Sequence, residues 1–267
     1  GRIGLLVAPQ PMHPVLAGIA VLCIALAAGA SGAINMWYDR DIDAVMRRTA
    51  QRPIPAGRIS PDAALGFGIA LAVFSVLLMG LAANWVAALV LALSIAFYVF
   101  IYTIWLKRRT PQNIVIGGAA GAAPPVLGWV AVTGEIHAHA LLLFLIIFTW
   151  TPPHFWALAI ARKDEYAQVN IPMMPVTHGI EFTRLQILLY TILLFLVGLL
   201  PWLTGMSGWL YLLGAIGFGG GFLYYAIAMM RSERPELPMK TFSYSITYLM
   251  GIFSFLLADH YVPLLLG

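Results

Sequence analysis

Residues 14–36, PVLAGIAVLCIALAAGASGAINM, contain no charged side chain, whereas residues 37–53, WYDRDIDAVMRRTAQRP, contain seven. An apolar run of this length matches the ~20 residues that an α-helix needs to cross a hydrocarbon core. The return of charge at Asp39 marks the point where such a helix would leave the membrane. This junction decides the fold class, and its charged half poses the question of function.

Outward from the junction the same alternation repeats. Apolar stretches long enough to span a bilayer are predicted at about 14–36, 62–82, 84–105, 114–133, 140–161, 185–204, 208–230 and 241–259. The chain as a whole is 61% hydrophobic and only 10% charged, against ~25% charged in an ordinary soluble domain. Its mean hydropathy is +0.88. So few charges could not cover the surface of a water-soluble protein, but a bilayer protein needs no more. The expectation is an all-α, polytopic transmembrane bundle forming one integral membrane domain over residues 1–267. The short apolar segment 1–8 reads as the end of a further helix whose beginning precedes it, and no targeting peptide is legible.

The connecting segments are of two kinds. Arg40, Arg47, Arg48, Arg52 and Arg58 fall in the first basic loop, and Lys107, Arg108 and Arg109 in the second. Arg162, Lys163 and Arg184 fall in the third, and Arg231, Arg234 and Lys240 in the fourth. Together these are 14 of the 15 Lys and Arg residues. The alternate connections, around Ala83, 134–139 and 205–207, have none. Loops rich in Lys and Arg stay on the cytoplasmic side, so the four basic loops are expected in the cytoplasm, or in the matrix for a mitochondrial protein. A pI of about 9.3 therefore reflects topology and does not indicate nucleic-acid binding. The lone Cys23 lies in an apolar run and excludes a disulfide framework. Small residues, such as the run Gly117 to Ala123, read as sites of close helix packing. Pro124-Pro125 and Pro152-Pro153 fall within spans and predict kinks or opened backbone there.

At the junction, Asn35, Asp39 and Asp43 are four residues apart, so on a helix they share one stripe. Carboxylates one turn apart repel, and keeping both at a dehydrated membrane edge calls for a compensating cation. Mg²⁺ suits this role because it takes oxygen ligands, often one or two carboxylates with substrate phosphates. Arg47, Arg48 and Arg52 follow at once, and arginine pairs bidentately with phosphate. A carboxylate–Mg²⁺–diphosphate–arginine assembly would use both signs of charge. The spacing alone equally fits an interfacial loop satisfied by water and lipid headgroups. Asp41 points off the stripe and reads as a structural partner for an arginine. In the third basic loop, Asp164 and Glu165 form a second acidic pair on the same face, and Lys107 and Arg108 add further cations.

These residues carry a resemblance. The spacing Asn35-x3-Asp39-x3-Asp43, with Met46-x-Arg48-Thr49-x-x-Arg52-Pro53, resembles the intramembrane prenyltransferases of the UbiA superfamily. Three further segments narrow it to the heme-farnesylating branch: Tyr102-Thr103-x-Trp105-Leu106-Lys107-Arg108-Arg109-Thr110-Pro111-Gln112-Asn113, Trp150-Thr151-Pro152-Pro153-His154-Phe155-Trp156 and Ile171-Pro172-Met173-Met174-Pro175-Val176. The resemblance implies nine helices around a central cavity, of which eight complete spans are present here. It implies as substrates farnesyl diphosphate and protoheme IX, with the farnesyl group joining a vinyl group as diphosphate leaves. It assigns Asn35, Asp39 and Asp43 to a first Mg²⁺, and Asp164 or Glu165 to a second. Arg47, Arg48, Arg52, Lys107 and Arg108 would contact diphosphate. It also implies heme A synthase or a terminal oxidase as assembly partners, while the short loops favour a bacterial inner membrane over a mitochondrial one. Many superfamily members have Asp directly after the motif Asn, where this chain has Met36; the heme-farnesylating branch usually lacks it too.

His154 is the candidate heme contact, to iron or to a propionate. The alternative is a histidine bonded to backbone freed by the prolines. Rival functions are a prenyltransferase of aromatic or quinone precursors and a secondary transporter, which also uses broken helices. A transporter would place its polar groups near the midplane, whereas these gather at one face.

Overall fold

A computed structural model describes residues 1–266, and these contain helices and loops without a strand. In chain order the helices are α1 (Arg2–Leu6), α2 (Pro14–Tyr38), α3 (Arg40–Val45), α4 (Pro61–Ala82), α5 (Trp85–Leu106), α6 (Asn113–Thr133), α7 (Ala138–Ala161), α8 (Lys163–Gln168), α9 (Met174–Thr177), α10 (Gly179–Leu203), α11 (Trp209–Arg231) and α12 (Leu237–Leu266). Eight of them, α2, α4, α5, α6, α7, α10, α11 and α12, are long and apolar enough to cross a membrane, and they coincide with the eight predicted spans. The largest differences are at α12, which runs from Leu237 to Leu266 against 241–259, and at α10, which begins at Gly179 instead of 185. Glu181 and Arg184 interrupt the apolar run, but a charged side chain does not stop a helix.

Local chemistry sets the helix starts. Ser60 accepts a hydrogen bond from the Ala63 amide at 3.2 Å, ahead of Pro61 in the first turn of α4. This is a favoured arrangement, because proline has no N–H to leave unsatisfied. Asn84 caps α5 by accepting from Ala87 N at 2.8 Å, and its amide donates to Val130 O, also at 2.8 Å, which ties the α4–α5 turn to α6. The proline pairs do not interrupt their helices: α6 and α7 run through Pro124-Pro125 and Pro152-Pro153. The irregularity lies elsewhere. From Phe97 to Leu106, α5 widens into a π-helix, a form concentrated at functional sites.

The contacts divide the chain into two units. Unit 1 comprises Gly1–Ile136 with Asp164–Pro172, and unit 2 comprises His137–Lys163 with the chain from Met173 on. In unit 1, α2 packs against α4, α4 against α5, α5 against α6, and α1 against α6. A Cβ on Gly68 of α4 would come within 2.8 Å of Ile34 Cγ1 and 3.3 Å of Ala30 O, so the α2–α4 crossing requires glycine. In unit 2, α7, α10, α11 and α12 pack together. There Asp259 of α12 caps α11, accepting from Ser207 Oγ at 2.9 Å and from the Tyr211 amide at 3.2 Å. The faces turned away from these contacts are apolar in both units: Phe67, Leu81 and Leu89 in unit 1 and Leu213, Tyr224 and Met250 in unit 2 are each at least 60% exposed. Water would penalise such faces and lipid does not. The chain is an integral, multi-pass membrane protein.

Candidate functional site

The acidic stripe is real helix geometry. The end of α2 passes into α3 with hydrogen bonds Asp39 N→Asn35 O (2.9 Å) and Asp43 N→Asp39 O (2.8 Å), so the i, i+4 register continues across the junction. Asn35, Asp39 and Asp43 are 7%, 0% and 3% exposed. Burying two carboxylates is tolerable only with hydrogen-bonded counter-charges, and both have them. Lys107 and Arg108 converge on Asp39, Arg108 at 3.2 Å and Lys107 closer. Arg52 donates to Asp43 Oδ2 at 2.7 Å. Thr49 anchors the turn that brings Arg52 back, donating from its hydroxyl to Asp43 O at 3.0 Å.

Asp41 takes Arg108 bidentately, at 2.7 and 2.9 Å, the structural pairing expected of a residue off the stripe. The hydrogen-bonded guanidinium holds the Asp41 carboxyl below the usual carboxylate range. The same pairing raises the affinity of Arg108 for its proton. Arg108 also stacks over the Tyr38 ring, 5.0 Å from its centroid. Arg47 and Arg48 lie exposed on the loop after α3. Asp164 and Glu165 lie in the first turn of α8, the former exposed and the latter half-buried.

Three residues were not legible as part of this site. Thr103, fully buried in the π-helix, accepts from Asn35 Nδ2 at 3.3 Å, and the same amide nitrogen donates to Asp39 Oδ2 at 2.9 Å. A carboxylate can only accept, so the amide nitrogen faces Asp39 and Thr103, leaving Asn35 Oδ1 as the free oxygen. The rings of Tyr98 and Tyr102 lie against each other tilted by 43°, with centroids 5.3 Å apart. Tyr98 lies within electrostatic range of Asp39 and Lys107, and Tyr102 of Asp39, Arg48 and Tyr166. Tyr102 fits because α6 has Gly117 beside it, where a Cβ would sit 2.2 Å from the ring.

Below the stripe lies an apolar cavity of about 310 Å³ lined by Ala27 and Ser31 of α2, Leu91 and Tyr98 of α5, and Pro124 and Leu127 of α6. Ala27, Ser31, Asn35 and Asp39 are successive members of one i, i+4 row, so α2 lines the cavity and its end leads into the carboxylates at the α2–α3 junction. The arrangement offers a polar mouth of carboxylates and guanidinium groups that opens towards an apolar hole.

The UbiA prenyltransferase family matches residues 3–255. The chain belongs to that family. A protein of Methylococcus capsulatus named protoheme IX farnesyltransferase is 56% identical over 263 residues, covering 98% of this chain and 88% of its relative. The protein of the same name from Alcanivorax borkumensis is also 56% identical, covering 97% and 87%. Among solved structures, the UbiA homologue of Aeropyrum pernix K1 aligns with a TM-score of 0.75 at 19% identity, over 96% of this chain and 94% of that one. A UbiA homologue from Archaeoglobus fulgidus, bound to DMAPP and Mg²⁺, aligns with a TM-score of 0.62 at 14% identity, over 95% of each chain. The family and the close relatives make this chain a prenyltransferase; the distant structures speak to its fold.

Within this UbiA family member, His154 sits in unit 2, on α7. Its ring is stacked between Trp150 and Phe242, at 4.1 and 4.5 Å, and it is 7% exposed. Nδ1 meets the Ser245 hydroxyl at 2.5 Å, and that hydroxyl donates to Phe242 O. Because the serine proton is committed to the carbonyl, Nδ1 is the donor to the serine. Nε2 of the neutral ring therefore carries the lone pair. The partner of His154 is a side chain on α12 and not a carbonyl freed by the prolines. Trp150 donates from its indole to Ser245 O at 2.7 Å, while Trp156 and Trp129 are core residues, 1% and 3% exposed.

Proposed function

We propose that this prenyltransferase joins the farnesyl group of farnesyl diphosphate to a vinyl group of protoheme IX, in a bacterial inner membrane with its charged loops cytoplasmic. The observation that carries the reaction class is the buried stripe Asn35–Asp39–Asp43, which continues from α2 across the junction into α3, while α2 lines the apolar cavity. The substrate assignment rests on relatives of that name at 56% identity over nearly the whole chain.

The residues present fit Mg²⁺. Among the described residues no three His, Cys, Asp or Glu side chains converge on one point. A cation here would rest on Asp39, Asp43 and the free Asn35 Oδ1, with phosphate oxygens and water completing its shell, which is the habit of Mg²⁺. Asp164 or Glu165 would serve a second ion on the same diphosphate. Bound Mg²⁺ supplies electrostatic stabilisation of the leaving diphosphate.

The protein's own residues do the rest. Arg47 and Arg48 offer guanidinium groups outside the carboxylate network, and Lys107, Arg108 and Arg52 stand at its carboxylates, so phosphate oxygens entering the mouth meet cations on each side. The cavity is about twice the ~150 Å³ apolar hole that admits a benzene ring, so it accepts the first isoprene units and keeps water from the reacting carbon. The allylic C–O bond breaks with its electron pair leaving on diphosphate, and the vinyl π-electrons form the new C–C bond. Water then captures the cation on the ring-attached carbon of the former vinyl group and loses a proton, leaving a hydroxyethyl unit that bears the farnesyl chain.

The test is incubation of purified protein in lipid with protoheme, farnesyl diphosphate and Mg²⁺, followed by chromatography of the extracted hemes. A more hydrophobic heme of the expected mass is the predicted product. Folded protein that leaves heme unchanged and prenylates an aromatic acid instead would overturn the assignment.

A further inference from the structure

Unit 2 contains a cation that the scheme above does not use. The Arg184 side chain is only 13% exposed, and among the described residues its ion pair is to Glu233 at 4.0 Å, on a side chain that is 88% exposed. Its Nε is buried without a hydrogen-bond partner. A separation of 4.0 Å lies beyond hydrogen-bonding range, and a desolvated guanidinium recovers its cost only through hydrogen-bonded anions. The residue is therefore a fork-shaped donor, sunk into the edge of the bundle and incompletely satisfied by the protein.

Its place suggests what completes it. Arg184 lies six residues before Tyr190 on α10, about 9 Å along the axis. The Tyr190 ring meets Trp156 of α7 edge-on at 5.3 Å, two residues from His154. Arg184 thus stands between this aromatic part of unit 2 and its charged end. That end carries Arg162, Lys163, Arg184, Arg231, Arg234 and Lys240 against Glu181, Glu233 and Glu236, with Asp164 and Glu165 next along the chain after Lys163, a small excess of positive charge that an anionic ligand offsets. A porphyrin with acidic propionates on one edge and vinyl groups on the opposite edge matches both the charged and the aromatic halves.

We propose that Arg184 is a carboxylate anchor, holding a propionate of the porphyrin substrate so that the vinyl edge is directed away from the charged face. This rests on the heme reading of the function. A phospholipid phosphate presents the same oxyanion chemistry, so the test separates the two sources.

Wild type, R184Q and R184K are reconstituted as full chains in phosphatidylcholine nanodiscs, with and without phosphatidylglycerol. Binding of protoheme and of its dimethyl ester, which lacks the charged carboxylates, is followed through the porphyrin absorption. Wild type should bind the free acid about tenfold more tightly than the ester, the scale of a charge-assisted hydrogen bond. In R184Q that ratio should fall to near one with ester binding retained, which also reports that the variant is folded. R184K, which keeps the charge but not the fork, should fall between. If R184Q does not fold, an unchanged ratio in R184K overturns the proposal. So does a tenfold preference surviving in R184Q, equal weakening of both ligands, or loss of bound phospholipid with the ratio intact. Farnesylation of either porphyrin by wild type, scored separately, tests the underlying reading: if it fails, that reading falls, and if it succeeds with an insensitive ratio, only the Arg184 assignment falls.

Discussion

Replacing Thr103 by valine tests whether the orientation of the Asn35 amide matters. Valine is close in shape, so at a fully buried position the substitution changes hydrogen bonding with little change in packing. Asn35 Nδ2 has two acceptors, Asp39 Oδ2 at 2.9 Å and Thr103 Oγ1 at 3.3 Å. Removing the second leaves a buried amide hydrogen unsatisfied, at a cost of about 1 kcal/mol. The same loss weakens the preference for the rotamer that turns Asn35 Oδ1 outward as a ligand oxygen. At ~1.4 kcal/mol per tenfold, the half-saturating Mg²⁺ concentration should rise roughly fivefold, while turnover at saturating Mg²⁺ falls much less. T103S keeps the acceptor and should restore the wild-type value. The assays are Mg²⁺ titration of product formation at saturating farnesyl diphosphate and Mn²⁺ binding by electron paramagnetic resonance in the presence of inorganic diphosphate. Wild-type Mg²⁺ dependence in T103V, or a T103S variant no better than T103V, would refute the reasoning.

Asp39→Asn keeps the side-chain volume but removes the charge on which Lys107 and Arg108 converge; turnover should fall by at least ~10²-fold while gel filtration still shows a folded protein, and near-normal turnover would sink the metal assignment. Ala27→Phe fills the cavity below the stripe at a packing cost of about 1–3 kcal/mol. It should raise the KM for farnesyl diphosphate about tenfold and spare the shorter geranyl diphosphate, as competition between the two substrates would reveal. The pH dependence of stability follows from Asp41. Its folded-state carboxyl is held below the ordinary range by Arg108, so its contribution is fully present above the unfolded value of ~3.9 and is lost as pH falls through the lower folded value. Asp41 is 61% exposed, so the amount is within ~1 kcal/mol. Asp41→Asn should lower the melting temperature slightly near neutrality, by no more than that amount implies, and should converge with wild type at acid pH once Asp41 is protonated, so its decline below about pH 4 is shallower.

The eight spans were legible because an apolar run of membrane length has few other meanings, and the stripe was legible because α-helical register is local. What escaped the sequence depends on contacts distant along the chain. The π-helix of α5 lies in an apolar run that reads as ordinary helix, and the ring of Tyr102 in it fits only because Gly117 on α6 leaves room. A lone threonine in a span usually bonds its own backbone, so Thr103 carried no signal towards Asn35, 68 residues away. Arg52 reads as a phosphate ligand by composition, yet it also closes a nine-residue loop onto Asp43. Ser245 could not be connected with His154 across 91 residues, although it decides which ring nitrogen holds the proton.

The interleaving of signs in the first two basic loops has a physical logic beyond topology. Asp39, Asp41 and Asp43 are matched by Lys107, Arg108 and Arg52 in direct ion pairs, so the buried part of the mouth is close to neutral. Arg47 and Arg48 stand outside that balance. A divalent cation alone would add to a local excess of positive charge, and a diphosphate alone would meet the carboxylates. Together they bring charges of opposite sign, the metal to the carboxylate oxygens and the phosphate oxygens to the arginines and lysine, and neither side of the network is left uncompensated. A bare carboxylate triad would attract cations with or without substrate. One already held by Lys107, Arg108 and Arg52 discriminates in favour of the metal–diphosphate pair, because only that pair gives the displaced cations a new anion to bind.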